Sequence, residues 1–329
     1  MDHPILEVKN LSVTYRSGTA VHRAVNNISF RLDASDSLGI VGESGSGKTT
    51  LARAIMRLTG GNCRVEADAI SYHGRDLRPL TEREMCAIRG NSIGMIMQNP
   101  IQCLDPLMTV GAQFGEIIRL REPGLHRAER QKTAVGLLAD VGIVNPERVL
   151  SSYPFELSGG MIQRITISMA MYLTPELLIC DEPTTALDVT TQQQIMNLLK
   201  QEKSNRNLSM LFISHNFGLI AELCNRVCVM YGGRIVESGT VDQIFYRPGH
   251  PYTQALLKSI PQIEKGSEKR LPAIDGGPAR AVSTTDCCPF YPRCPQAGEG
   301  CKQAFPQETV LEEKHSVFCW QYQAQEKLL

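Results

Sequence analysis

The chain has 329 residues, of which 42% are hydrophobic and 21% charged. That is enough for one large domain or two smaller ones with real cores, and it excludes a wholly disordered chain. Lys plus Arg number 34, as do Asp plus Glu, and the zero net charge argues against a protein whose main partner is bulk nucleic acid, although a local basic patch stays open. No apolar run approaches the roughly 18 residues needed to span a bilayer. The start, Met1-Asp2-His3-Pro4, lacks the basic-then-apolar pattern of a secretory signal. A cytosolic, reducing setting is therefore expected, in which the 11 cysteines point to metal binding before disulfides.

Taken in chain order, residues 7–15 and 24–32 alternate polar and apolar side chains, which predicts a half-exposed antiparallel sheet. Leu38-Gly39-Ile40-Val41 opens a series of short, wholly apolar runs. Residues 93–97, Leu177-Leu178-Ile179-Cys180, Met210-Leu211-Phe212-Ile213 and Val227-Cys228-Val229-Met230-Tyr231 continue it. Such runs suit strands covered on both faces. Helical patterns over 50–58 and 191–203 lie between them, so the core reads as α/β with a mostly parallel sheet. Residues from about 100 to 165 read as mostly helical, with breaks at Pro123-Gly124 and Pro146. Composition changes near residue 246: nine of the 18 prolines lie from Pro248 onward, and five of the 11 cysteines lie after residue 286. The expected division is therefore 1–245 as the main domain, with a helical subdomain at about 100–165, and 246–329 as a C-terminal extension.

Gly42-Glu43-Ser44-Gly45-Ser46-Gly47-Lys48-Thr49 fits G-x-x-x-x-G-K-S/T and sits between a strand-like run and a helical pattern. Glycines let the backbone curl so that its N–H groups face phosphate oxygens, and the helix N-terminus adds a positive dipole end. Lys48 would reach the β- and γ-phosphates of ATP, and the Thr49 hydroxyl would ligate Mg²⁺, with Thr50 beside it. A Gly-rich surface turn would explain the glycines but not the lysine and threonine in this context. Further on, the apolar run at 177–180 ends in Asp181-Glu182. Two carboxylates at the end of a buried strand are costly unless a cation uses them. Asp181 suits the Mg²⁺ shell, and Glu182 would orient and deprotonate an attacking water. Alone, the pair would read as an acidic loop capping a strand.

Two further segments carry a resemblance: Leu157-Ser158-Gly159-Gly160-Met161-Ile162-Gln163-Arg164 and Asp181-Glu182-Pro183-Thr184-Thr185-Ala186-Leu187-Asp188. With the phosphate loop, and in this order over residues 5–245, they resemble the nucleotide-binding subunit of an ABC transporter. The resemblance implies an ABC-type P-loop ATPase core with an N-terminal antiparallel β subdomain and an inserted helical subdomain. By it, Tyr15 stacks on adenine, and Gln98 senses Mg²⁺ and the membrane partner. Ser158, Gly159 and Gly160 grip the γ-phosphate held by the opposite subunit, Asp188 lies at the dimer seam, and His215 contacts the γ-phosphate. Met161 departs from the pattern, which has Gln there; Gln163 lies two positions on. Taken alone, His215 would be an ordinary structural histidine and Tyr15 a sheet-packing residue. A helix opening at Ser158-Gly159-Gly160 offers N–H groups and a hydroxyl to a second anion site.

In the tail, Cys288, Cys294, Cys301 and Cys319 are spaced C-x5-C-x6-C-x17-C, with Cys287 spare and His315 able to replace one thiol in a zinc site. Thiolates suit zinc or an iron–sulfur cluster, and spacing alone does not choose. The run from Arg247 to Leu257 and the C-x5-C pair resemble the extension of the peptide/nickel uptake subfamily. That kinship implies a 4Fe-4S cluster, with Zn²⁺ or reduced structural thiols as alternatives, in a structural or regulatory role. It implies cargo that is a di- or oligopeptide or a nickel complex. The expected partners are two integral-membrane permease subunits, a second related ATPase subunit and, indirectly, an extracytoplasmic binding protein. The expected place is the cytoplasmic face of the inner membrane. One rival reading is a soluble ABC ATPase acting on nucleic acid or the ribosome with a zinc-binding tail. Another is a nucleotide sensor without turnover, against which Glu182 and His215 both argue.

Overall fold

The computed structural model describes residues 4–18, 20–185, 187–259 and 286–323. Ala186 of the acidic motif, and the parts of the extension at 260–285 and 324–329, lie outside the described residues. The chain forms two compact units, Met1–Arg78 with Phe212–Leu329, and Pro79–Leu211.

The strands in chain order are β1 (Leu6–Ser17), β2 (Ala20–Leu32), β3 (Ser37–Val41), β4 (Cys63–Glu66), β5 (Ala69–Tyr72), β6 (Arg75–Asp76), β7 (Ile93–Ile96), β8 (Leu177–Asp181), β9 (Ser209–Ser214), β10 (Arg226–Tyr231), β11 (Arg234–Thr240), β12 (Thr309–Glu312) and β13 (His315–Val317). The helices are α1 (Lys48–Ile55), α2 (Glu82–Ile88), α3 (Val110–Arg121), α4 (Arg127–Asp140), α5 (Pro146–Ser151), α6 (Gly159–Tyr172), α7 (Val189–Arg206), α8 (Phe217–Leu223), α9 (Val241–Tyr246), α10 (Pro251–Lys258), α11 (Glu299–Gln303) and α12 (Trp320–Gln323).

In the first unit, β2-β1-β5-β6 form an antiparallel sheet with β4 also paired to β1. Its period of two is visible in β1, where Leu6, Val8, Leu11 and Val13 are buried. The alternation shifts register between Val8 and Leu11, opposite β2, and Asn10 takes the extra bend at φ 52°. A second set of strands runs β12-β13-β11-β10-β3. Here β10 and β3 are parallel, with Cys228 opposite Ile40, as the apolar runs predict. The remaining pairs are antiparallel, so the sheet is mixed. The reason lies in Gly232-Gly233, which turn at φ 54° and 82° between Tyr231 and Arg234. A two-residue hairpin of that kind joins only antiparallel strands. The extension adds β13 to β11 and fixes the register with a 2.9 Å bond between the Ser238 and Ser316 hydroxyls.

In the second unit, β7 and β8 are parallel, and all five residues of β8 are buried. Helix α2 begins with a reciprocal cap, Thr81 and Glu84 each bonding the other's backbone N–H. Helices α3 to α6 enclose an apolar core that includes Phe114, Ile118, Leu138 and Ile165. Pro123-Gly124 separates α3 from α4 as expected. Pro146 starts α5 rather than merely interrupting a helix, because its missing N–H costs nothing at the first helical position. β9 runs across the division between the units. Among the described residues no helix is long and apolar enough to cross a membrane.

Candidate functional site

β3 delivers the chain to the phosphate loop, and α1 leaves it at Lys48. The helix begins two residues earlier than the sequence pattern predicts and ends at Ile55. Gly47, at φ 100°, forms its left-handed N-cap, and Arg57 at φ 53° stops it. Two of the glycines are required by close approach. A Cβ on Gly42 would lie 2.1 Å from the Met230 carbonyl oxygen, and one on Gly47 would lie 2.2 Å from that of Ala24. Lys48, 4% exposed, folds back over the loop. Its Nζ donates to the carbonyls of Gly42 at 2.8 Å and Glu43 at 2.9 Å, and to Ser46 Oγ at 3.4 Å. These acceptors are neutral, and the phosphate of a bound nucleotide would be a stronger partner for the ammonium. Ser44 and Gly45 are exposed, and Thr49 and Thr50 are half-buried in the first turn of α1.

Also in the first unit, Tyr15 is half-buried on β1, opposite His22 on β2 and Cys63 on β4. His215 is exposed directly after β9.

In the second unit the structure brings Gln98 and Glu182 together. Gln98 Nε2 donates to Glu182 Oε2 at 3.1 Å, and Thr185 Oγ1 donates to the same oxygen at 2.9 Å. Thr185 was not singled out in the sequence, although its hydroxyl three residues after a glutamate is the signal that could have found it. Asp181 ends β8 at 1% exposure, and Glu182 follows at 8% with φ 48°, a conformation that costs a non-glycine residue energy. Strand and strained turn together fix where this carboxylate points.

Two exposed helix starts complete the unit. Ser158 caps α6, its Oγ accepting from Met161 N–H at 3.4 Å, and Gly159 and Gly160 form the first turn. Asp188 caps α7, accepting from Thr191 N–H at 2.9 Å and from the Thr191 hydroxyl at 2.7 Å. The Thr191 backbone N–H and hydroxyl hold the Asp188 carboxyl below the usual carboxylate range. The helix starts approach each other: a Cβ on Gly160 would sit 3.0 Å from Thr191 Cγ2. Met161, the departure from the family pattern, packs against the apolar core of α3–α6, and Gln163 is buried.

In the extension, Cys288, Cys294, Cys301 and Cys319 line one cavity of about 290 Å³ together with His250 and Phe290. Burial, with the neighbouring thiols, pushes Cys288 up to about 12, and burial pushes Cys319 up to about 11. His315 is not at this cavity's disposal. Its ring Nε2 bonds Glu237 Oε1 at 2.8 Å with both side chains fully enclosed, and Glu237 also accepts from the N–H groups of Gly249 and His250. Among the described residues, no three His, Cys, Asp or Glu side chains form a group that could hold a metal ion. The shared cavity and the thiol donors suit a thiophilic centre, but the sulfurs are not gathered as a finished ligand set.

Residues 25–185 match the family model described as ABC transporter, and residues 236–301 match the oligopeptide/dipeptide transporter C-terminal region. A probable peptide ABC transporter ATP-binding protein of Sinorhizobium fredii is 42% identical over 317 residues, covering 96% of this chain and 94% of the relative. The oligopeptide transport ATP-binding protein OppD of Haemophilus influenzae is 42% identical, covering 97% of each. The dipeptide transport ATP-binding protein DppD of Bacillus subtilis is 40% identical, covering 96% and 94%. Among solved structures, the dimeric post-hydrolysis state of the ATP-binding cassette MJ0796 bound to ADP and Pi aligns with a TM-score of 0.65 at 26% identity, covering 72% of this chain and 98% of that one. Neither the nickel cargo nor the nucleic-acid alternative finds support in these matches.

Proposed function

The chain belongs to the ABC transporter ATP-binding subunits, and from that premise we propose that it hydrolyses ATP to drive import of di- or oligopeptides through a permease made by other chains. In this reading Tyr15 stacks on adenine. The loop from Gly42 to Thr50, with Ser44, Gly45, Ser46, Gly47 and Lys48, holds the triphosphate. Thr49, Asp181 and Gln98 would hold Mg²⁺, which would offset the negative charge of the triphosphate. Glu182 takes a proton from the attacking water as the water oxygen bonds the γ-phosphorus. The bond from that phosphorus to the bridging oxygen breaks, and ADP and phosphate leave. His215 steadies the γ-phosphate.

The paired bonds of Gln98 and Thr185 to one oxygen of Glu182 carry the hydrolytic part of this reading. They hold the carboxylate in one orientation, which is what a general base needs. Ser158, Gly159, Gly160 and Asp188 face outward at helix starts, so an ATPase mate could present its nucleotide to them. Closure of such a pair on ATP and release after hydrolysis would be the power stroke. The proposed assembly has two permease subunits and a second, related ATPase subunit, stands at the cytoplasmic face of the membrane, and receives peptide from an extracytoplasmic binding protein. Co-expression with the candidate permease and reconstitution into vesicles tests it. Peptide uptake that requires ATP is expected; a chain that neither co-purifies with the permease nor gains turnover from it would refute the reading.

For the extension we propose that Cys288, Cys294, Cys301 and Cys319 hold a 4Fe-4S cluster. Their convergence on one cavity supports it. The proposed role of the cluster is structural or regulatory. Iron and acid-labile sulfide in equal amount in anaerobically purified chain are expected. Zinc alone would replace the cluster reading, and neither metal would leave four structural thiols.

A further inference from the structure

Glu43 is the first variable residue of the phosphate loop, and a carboxylate there is electrostatically awkward, since the loop's task is to receive a polyanion. The structure handles it with residues from the C-terminal extension. Arg293 clamps the carboxylate in two-pronged fashion, NH1 to Oε2 at 2.8 Å and NH2 to Oε1 at 3.2 Å. The pair is largely enclosed, the Arg293 side chain 9% exposed and that of Glu43 22%. Tyr252, from α10, accepts the Glu43 backbone N–H at 2.9 Å. Thus every polar group of Glu43 is engaged: side chain by Arg293, N–H by Tyr252, and carbonyl by Lys48.

The clamp is itself rigidly mounted. Arg293 also donates to Tyr231 Oη at 3.2 Å. Tyr231, Tyr252 and Phe290 are each at most 2% exposed and pack as a cluster, with ring centroids 4.4 to 5.3 Å apart. Tyr231 follows Met230, whose carbonyl is the wall against Gly42. Arg293 sits in the single helical turn Tyr291–Arg293, immediately before Cys294 and five residues after Cys288.

We propose that Arg293 is a positioning residue for ATP binding: it neutralises Glu43 and fixes the loop's entry, so that the C-terminal extension completes the phosphate site of the same chain. This rests on the reading that the Gly42–Lys48 loop holds the triphosphate. An Arg–carboxylate fork is both strong and directional, and removing the arginine leaves an enclosed negative charge beside the nucleotide.

The test is a charge cycle on the full chain in its transporter complex, with ATPase kinetics and nucleotide affinity as readouts. Arg293→Ala is expected to raise KM for ATP about tenfold while kcat changes less than about twofold. Adding Glu43→Gln to Arg293→Ala should recover much of the loss, because the unpaired charge is gone. A purely structural role would make the double variant no better than the single one. The Arg293→Ala defect should also shrink as ionic strength rises. Should Arg293→Ala fail to fold, Arg293→Lys keeps the charge without the fork and should give a smaller rise in KM that Glu43→Gln again relieves. An unchanged KM in the folded variants, or no relief by Glu43→Gln, overturns the proposal. Lys48→Ala run in parallel separates the two readings: if it keeps its ATP affinity, the loop assignment itself has failed.

Discussion

Gln98 donates its side-chain amide to Oε2 of Glu182 at 3.1 Å, joining residues 84 positions apart in the chain. The bond ties a residue just beyond β7 to one just beyond β8, two parallel strands whose register is fixed by Ile96 opposite Cys180. It therefore turns sheet geometry into the aim of a carboxylate.

Replacing the two residues should have different consequences. Glu182→Gln keeps the shape and both neighbours but removes the base, so ATP should still bind while turnover falls about 10²-fold or more. Gln98→Ala removes one of the bonds that orient the base, and a residue proposed to hold Mg²⁺, but keeps the base itself, so kcat should fall only about tenfold. Single-turnover ATP hydrolysis and equilibrium nucleotide binding check both. Unchanged turnover in Glu182→Gln would mean that Glu182 is not the base.

Gly47 is the second test of the loop. At φ 100° and with a carbonyl 2.2 Å from where a Cβ would stand, it tolerates no side chain. Gly47→Ala should therefore push the first turn of α1 away from β2. The expected result is loss of the ATP-dependent rise in melting temperature. Gly45→Ala is the matched control: it shares a positive φ but has open space around it, so it should cost less. Equal effects would show that backbone strain, not the close approach at Gly47, sets the requirement.

Legibility in the sequence followed how local each cause is. The strand, loop and helix around Lys48 are visible because glycine spacing and an apolar run occupy neighbouring positions. The helix opening at Ser158 was visible for the same reason, whereas Asp188 was named only by resemblance and its cap on α7 was not foreseen. What stayed hidden depends on distant partners. Nothing near Thr185 says that it shares an acceptor with Gln98, and nothing near Arg293 says that Glu43, 250 residues earlier, is its partner. The short strands β4 to β6 and β12 to β13 are also invisible to periodicity. They are two to four residues long and are defined by pairing to β1, to β11 or to one another. The antiparallel β10–β11 pair was not foreseen, because a Gly-Gly hairpin reverses the chain within an apolar stretch.

Asp188 gives a pH test of a different kind. Its carboxylate caps α7 through Thr191, and its pKa is lowered from the ordinary 3.8. A depressed acid pKa means that the cap's contribution is complete above the unfolded value and is lost as the pH falls through the folded one. Carboxyl NMR shifts of Asp188 should thus titrate at a lower pH in the native chain than in Thr191→Ala, which deletes one of the two bonds. A midpoint unmoved by Thr191→Ala would show that the hydroxyl contributes nothing to the cap.

His250 sets the sharper dependence. It is 2% exposed, and its Nδ1 accepts the Tyr252 N–H at 3.0 Å, so the neutral ring is the one that fits. Burial pushes its pKa from 6.5 down to about 4, against the pull of Glu237. Between those two values the unfolded chain binds a proton that the folded chain refuses. Stability from this group is therefore complete above about pH 6.5 and is lost as the pH falls toward 4. From pH 7 to pH 5 the loss should be about 2 kcal/mol. Asn at this position can accept the same N–H without titrating. Urea unfolding of His250→Asn and the natural chain, each at pH 7 and pH 5, measures the difference directly. The other histidines cancel between the two proteins. The gap in stability between them should narrow or reverse at pH 5. An identical pH response in both would show that His250 is not excluded from protonation, and the enclosed packing against Phe290 would have to be looser than its geometry indicates.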